Sequence, residues 1–119
     1  MPPVQLPPIT HDLDDAGAQL VEAGLCRVEG LLSQDQVVRL RELVLTAAES
    51  DRRTGNAYTY SSHAHQRVWM LVNRAPEFVE LACLPAALGI VEGALGPEAL
   101  LSNLSANISG SGGAPMVPH

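Results

Sequence analysis

A chain of 119 residues, 46% of them hydrophobic, has room for one globular core, and its formal charge of -6 excludes a phosphate backbone as a natural partner. It contains no lysine, and its seven cations are Arg27, Arg39, Arg41, Arg52, Arg53, Arg67 and Arg74, never more than two in a row, so neither nucleic acid nor an anionic membrane finds a basic surface. Four aromatic residues (Tyr58, Tyr60, Trp69 and Phe78) leave the core to be built from Leu, Val and Ala.

Residues 1–10 carry four prolines, which remove backbone donors and favour extended geometry, so this stretch is expected to be a flexible, surface-tracking arm outside the domain at 11–119. From His11, Leu13, Ala16, Leu20 and Val21 recur at helical spacing behind acidic residues and before Gly24, which predicts a short amphipathic helix. The segment LCRVEG is too short for a helix before Gly30 and predicts a short strand. Ser33 with Gln36 makes a capping box, each side chain answering a free N–H at the start of a helix. That helix places Val37, Leu40, Leu43, Val44 and Ala47 on one face and gives way around ESDRRTGNAY, where Gly55 and Asn56 form a turn.

QRVWMLV, bounded by Asn73 and Pro76, is expected to be a strand. Pro76 and Pro85 each start a helix, through EFVELAC and AALGIVEGAL, and Gly96-Pro97 ends the second. In LLSNLSANIS, Leu104, Ala106 and Ile108 alternate with Asn103, Ser105 and Asn107, so the last strand has one mainly apolar and one polar face. GSGGAP is a flexible turn. Helices and separate strands mix without βαβ alternation, and an α+β arrangement is indicated.

Cys26 and Cys83 lie far apart in apolar segments without metal-ligand spacing, which predicts two buried thiols in a reducing compartment. With no basic leader followed by an apolar stretch, and no 18-residue apolar run, the expectation is a soluble cytoplasmic protein.

Chemistry has few places to reside. Asn103, Ser105 and Asn107 either form the solvated outer face of a sheet or line a pocket that holds a small polar ligand. His119 follows a polar strand and a glycine-rich turn, a frequent setting for a ligand, although one imidazole is not a site. His63 and His65 would share a face and chelate a metal only if SSHAH were a strand, and otherwise are loop histidines. His11 is read as a neighbour of the first helix. There is no nucleophile elbow, no P-loop and no dinucleotide fingerprint, and no helix follows GSGG to make it a phosphate cradle.

The runs EAGLCRVEGLLSQDQVVRLRELV and RVWMLVNRAPEFVELACLPAALGIVEGALGP, followed by the polar strand and Gly-Pro turn, resemble in order and sequence the opening blocks of the phytanoyl-CoA dioxygenase family, from about Asp15 to His119. The resemblance implies a double-stranded β-helix, a jelly-roll barrel wrapped by helices, of which this chain carries the helices and first strands. It implies a non-haem Fe(II) oxygenase using 2-oxoglutarate and O₂ on a small aliphatic or acyl-type substrate. Iron in such enzymes is held by a His-x-Asp pair and a distant His, leaving positions open for 2-oxoglutarate and O₂.

His119 matches the first histidine of that pair, and the other ligands would follow it. By strand order, Arg67 and Trp69, with Asn103, Ser105 and Asn107, would line the cofactor or substrate cavity. On this reading the 119 residues are inactive alone, bind iron weakly, and expose strand edges through which they self-associate. The rival expectation is a non-catalytic helical interaction module.

Overall fold

The computed structural model describes residues 3 and 5–115, and the chain divides into two compact units, one made of residues up to Gln34 with Cys83–Leu100, the other of Asp35–Ala82 with the chain from Leu101 onward. The α+β expectation holds among the described residues, with four helices, a two-stranded parallel ladder and a three-stranded antiparallel sheet.

In the first unit, β1 (Ile9–Thr10), α1 (Leu13–Ala23) and β2 (Arg27–Val28) follow one another, and β1 pairs with β2 in parallel, Ile9 opposite Arg27 and Thr10 opposite Val28. This small βαβ turn corrects two expectations: the segments do alternate here, and the proline-rich arm contributes a strand at its end. Gln19 is the reason the arm docks. Its side-chain amide donates to the Pro8 carbonyl at 3.0 Å and its oxygen accepts the Arg27 N–H at 3.3 Å, so one buried side chain on α1 holds both strands.

Asp12 caps α1 by accepting the N–H groups of Asp14 and Asp15 at 2.8 and 3.1 Å, and Gly24, at φ 75°, ends it with an N–H bonded to Leu20 O. The last helix among the described residues, α4 (Pro85–Leu95), starts on its proline as expected, and none of its residues is fully buried. Between it and α1 runs a groove of about 480 Å³ lined by Leu13, Gly17, Leu20, Pro85, Ile90 and Gly93 among others.

The second unit is built on α2 (Gln34–Thr54), which begins one residue after Ser33, where the capping box places it. Leu40, Leu43, Val44, Ala47 and Ala48 lie in or against the core with Val68, Leu71 and Phe78, whereas Val37 is exposed. The helix runs on through the polar segment expected to be a loop. Tertiary partners account for this: the buried Asp51 carboxylate takes two bonds from the Arg74 guanidinium at 2.7 and 3.0 Å, and Arg52 donates to Gln66 Oε1 at 2.8 Å and to Glu49 at 3.2 Å. Propensity read locally has no access to such partners. Gly55, at φ 76°, then ends the helix.

Opposite α2 lies the antiparallel sheet in the order β3 (Tyr58–Tyr60), β4 (His65–Val68), β5 (Ala106–Ser109). The strand expected over QRVWMLV stops at Val68. Met70 turns to φ 56°, and Leu71–Asn73 forms a 3-10 turn whose first N–H bonds Leu104 O at 3.0 Å, sending Leu71 into the core. The last strand is likewise shorter than LLSNLSANIS, but its alternation is as expected: Leu104, Ala106 and Ile108 pack against the core while Asn103, Ser105 and Asn107 are exposed.

Gln66 bridges the sheet to α2, donating to Ala48 O at 3.0 Å while accepting from Arg52. The seven-residue α3 (Pro76–Ala82) buries Phe78, and Glu77 in its first turn pairs with Arg39 of α2 at 3.2 Å. The Glu77 carboxyl is held below its ordinary value chiefly by its own backbone N–H, with burial opposing and Arg39 adding lesser lowering effects. Its contribution to stability is therefore present above the ordinary carboxylate range and lost as pH falls through it.

Cys26 is half-buried and Cys83 exposed, so the expected pair of buried thiols is corrected for Cys83. No single helix among the described residues is long and apolar enough to cross a membrane.

The hydrogen bond to Asp51 raises the Arg74 pKa above its ordinary value, with burial opposing it and the carboxylate's charge adding to it, so this contribution is present at neutral pH and lost as pH rises through the guanidinium's own ionisation. Arg74→Leu is expected to cost about 2 kcal/mol in urea unfolding, because it leaves a largely buried carboxylate without its charged partner, and Arg74→Lys less. A loss of under about 0.5 kcal/mol for Arg74→Leu, the level of an ordinary surface change, would show the pair to be marginal.

Candidate functional site

One face of the sheet packs on α2; the other carries the candidate site. Antiparallel register sets three side chains in a row across it, Tyr58 opposite Arg67 and Arg67 opposite Asn107. Within that row Arg67 Nε–H donates to Asn107 Oδ1 at 2.7 Å, which fixes the plane of the guanidinium. Trp69, one residue beyond β4, lies under it with 5.1 Å from the guanidinium carbon to the ring centre, and meets Tyr58 edge-on at 6.0 Å. Tyr58 in turn lies 6.1 Å from Tyr60.

The result is a cation backed by aromatic rings and aligned by an amide, a combination suited to a carboxylate with an apolar body. Arg67 is half-buried while Trp69 and Tyr58 remain 39% and 52% exposed, so the row is open to a ligand.

Three of the expected cavity residues, Arg67, Trp69 and Asn107, are thus brought together. Asn103 and Ser105 are exposed on the stretch leading into β5 and stand outside its ladder. His119 lies outside the described residues. The HxH reading is corrected: His63 sits in the β3–β4 turn at φ 67°, its Nδ1 2.7 Å from Thr59 Oγ1, while His65 is buried on β4. They occupy different environments and form no chelate.

Among the described residues no group of three or more His, Cys, Asp or Glu is placed to hold a metal ion. These residues do not amount to an iron site. What the row offers is one guanidinium, Arg67, able to pair with a carboxylate. Tyr58 and Tyr60 were missed as site residues from sequence, although the alternation in AYTY carried a signal for a strand with both rings on one face.

No known family model matches the chain, and no solved structure matches it. It does match a curated protein, dioxygenase af480 of Aspergillus fumigatus, at 29% identity over 115 residues. The chain is distantly similar to a dioxygenase. The alignment takes in 93% of this chain but 37% of that protein, so the chain spans little over a third of its relative's length.

The Arg67–Asn107 bond is partly solvated, and a double-mutant cycle with Arg67→Ala and Asn107→Ala should give a coupling of about 0.5–1 kcal/mol in stability. Strict additivity would show that the two side chains do not align one another in solution.

Proposed function

We propose that this chain is the N-terminal part of a non-haem Fe(II) dioxygenase of the phytanoyl-CoA dioxygenase kind, which uses 2-oxoglutarate and O₂ to hydroxylate a small aliphatic or acyl-type substrate. The observation that carries this reading is the distant dioxygenase similarity along nearly the whole chain. The Arg67–Asn107–Trp69 arrangement on an open sheet face supports it. In the whole protein the three-stranded sheet is one part of a jelly-roll barrel, and the aromatic face of β3, β4 and β5 points to its interior.

Each residue then has a task. Arg67 supplies positive charge to a carboxylate of 2-oxoglutarate, Asn107 holds the guanidinium in plane, and Trp69 backs it and shields it from water. Asn103 and Ser105 offer hydrogen bonds at the mouth of the same face. His119 is the first iron ligand, with an aspartate, a second histidine and an arginine following later in the whole protein. Iron, once bound by that full set, supplies the activation of O₂ coupled to decarboxylation of 2-oxoglutarate. The protein acts in the cytoplasm on a small molecule.

The reading frame past His119 should encode aspartate two positions on, then a histidine and an arginine. The whole protein should release succinate from 2-oxoglutarate in an Fe(II)-dependent way that His119→Ala reduces to background. A frame without that aspartate, or turnover indifferent to His119→Ala, would exclude the proposal.

A further inference from the structure

The charge of this chain is unevenly divided. The first unit holds seven acidic side chains against one arginine, Arg27, and the second holds six against six, so the whole formal charge of -6 falls on the first. All seven of those acidic residues are exposed. The arginine–carboxylate pairs among the described residues, at Arg39, Arg52 and Arg74, all lie in the second unit, and the Arg27 guanidinium is turned to the Pro7 carbonyl at 3.3 Å. The first unit therefore presents carboxylates that the chain itself does not neutralise.

The same unit carries the groove of about 480 Å³ between α1 and α4. Its walls are mainly apolar, with Leu13 and Val21 43% and 87% exposed, and Asp14 stands in its lining. Glu22 and Glu92 are the chain neighbours of the lining residues Val21 and Gly93. Three helical glycines, Gly17, Gly89 and Gly93, also line it, and a β-carbon on any of them would meet no atom within 4 Å. Glycine inside a helix costs about 1 kcal/mol relative to alanine. Packing among the described residues does not require that cost, and its effect is to keep the groove floor open. Gly89 and Gly93 lie one turn apart on one side of α4, which leaves room for a third backbone to approach closely. Each wall is 11 residues long, which matches a partner helix of about three turns.

We propose that this groove docks an amphipathic helix of a partner protein, apolar with small residues on its buried face and carrying Lys and Arg on its flanks. Charge selects this occupant. A second copy of the chain would bring one strongly acidic unit against another, and an acyl chain would use the apolar walls but leave the carboxylates unanswered. A helix with cationic flanks satisfies both the walls and the rim. The inference goes beyond the oxygenase reading and does not depend on it, since the Arg67 row belongs to the second unit.

The test titrates the full chain with a lysine–alanine–leucine helix of about four turns that has one apolar face, and with the same helix carrying glutamate for lysine. The lysine peptide is expected to bind, more weakly as salt rises, and to shift the amide signals of Gly17, Gly89 and Gly93, whereas the glutamate peptide does not bind. Gly89→Leu with Gly93→Leu fills the groove and should weaken binding by about tenfold or more. Glu22→Gln with Glu92→Gln should weaken it about threefold and flatten the salt dependence. If the leucine variant does not fold, Gly89→Ala with Gly93→Ala serves instead, and is expected to raise Tm while lowering affinity for the peptide. Failure of the lysine peptide to bind, equal affinity for the two peptides, or binding unmoved by the groove substitutions in a folded protein overturns the inference. Dimerisation that the groove substitutions abolish would assign the groove to a second copy, and uptake of a fluorescent fatty acid that they abolish would assign it to an acyl chain; either result overturns it as well.

Discussion

Arg74 reaches from just before α3 to the last turns of α2, where its guanidinium meets both oxygens of Asp51 at 2.7 and 3.0 Å while its Nε–H donates to Trp69 O at 3.2 Å. These bonds join the long helix to the segment that leaves β4, and they explain why a polar stretch stays helical to Thr54. Asp51 is 8% exposed, so neither partner is dispensable without leaving a charge in poor surroundings. Gln66 makes a second bridge one strand position away from Arg67, tying β4 to Ala48 O and Arg52. With both bridges in place, Gln66 and Val68 commit one face of β4 to the helix, and Arg67 on the other stays partly exposed.

That division accounts for the site. Because residues alternate along a strand, fixing Gln66 and Val68 against α2 sends His65 and Arg67 to the opposite face, and antiparallel pairing brings Tyr58, Tyr60 and Asn107 beside them. A one-residue slip in β4 would put Arg67 into the apolar layer beside Phe78 and Leu71, which the core does not tolerate. The candidate ligand face is therefore a consequence of how the core is packed, and its distance from α2 is set by the thickness of the sheet.

How much of this was legible from residues alone depended on the range of the interaction involved. Helix starts were readable because Asp12, Ser33, Pro76 and Pro85 act within a few residues of themselves. The alternation through Leu104, Ala106 and Ile108 was readable for the same reason. The end of α2, the early stop of β4 and the docking of the arm were not, since they depend on Arg74, on the Leu71–Leu104 bond and on Gln19, whose partners lie far away in sequence. At the site, Arg67 and Asn107 were legible as neighbours through their places on two strands, with Trp69 one residue beyond the first of them. Asn103 and Ser105 share the polar face but not the ladder, and the contact of His65 with Ala114 was hidden because the two lie 49 residues apart.

In the proposed function a carboxylate of 2-oxoglutarate pairs with Arg67 on the partly exposed face of this sheet. Calorimetric titration of 2-oxoglutarate into the whole protein, under anaerobic conditions with Fe(II), tests it most directly. Arg67→Met should weaken binding by about tenfold or more, consistent with loss of a charge-assisted bond, while Arg39→Met on the far side of the core leaves it unchanged. Equal affinity in Arg67→Met and the unmodified protein would contradict the account.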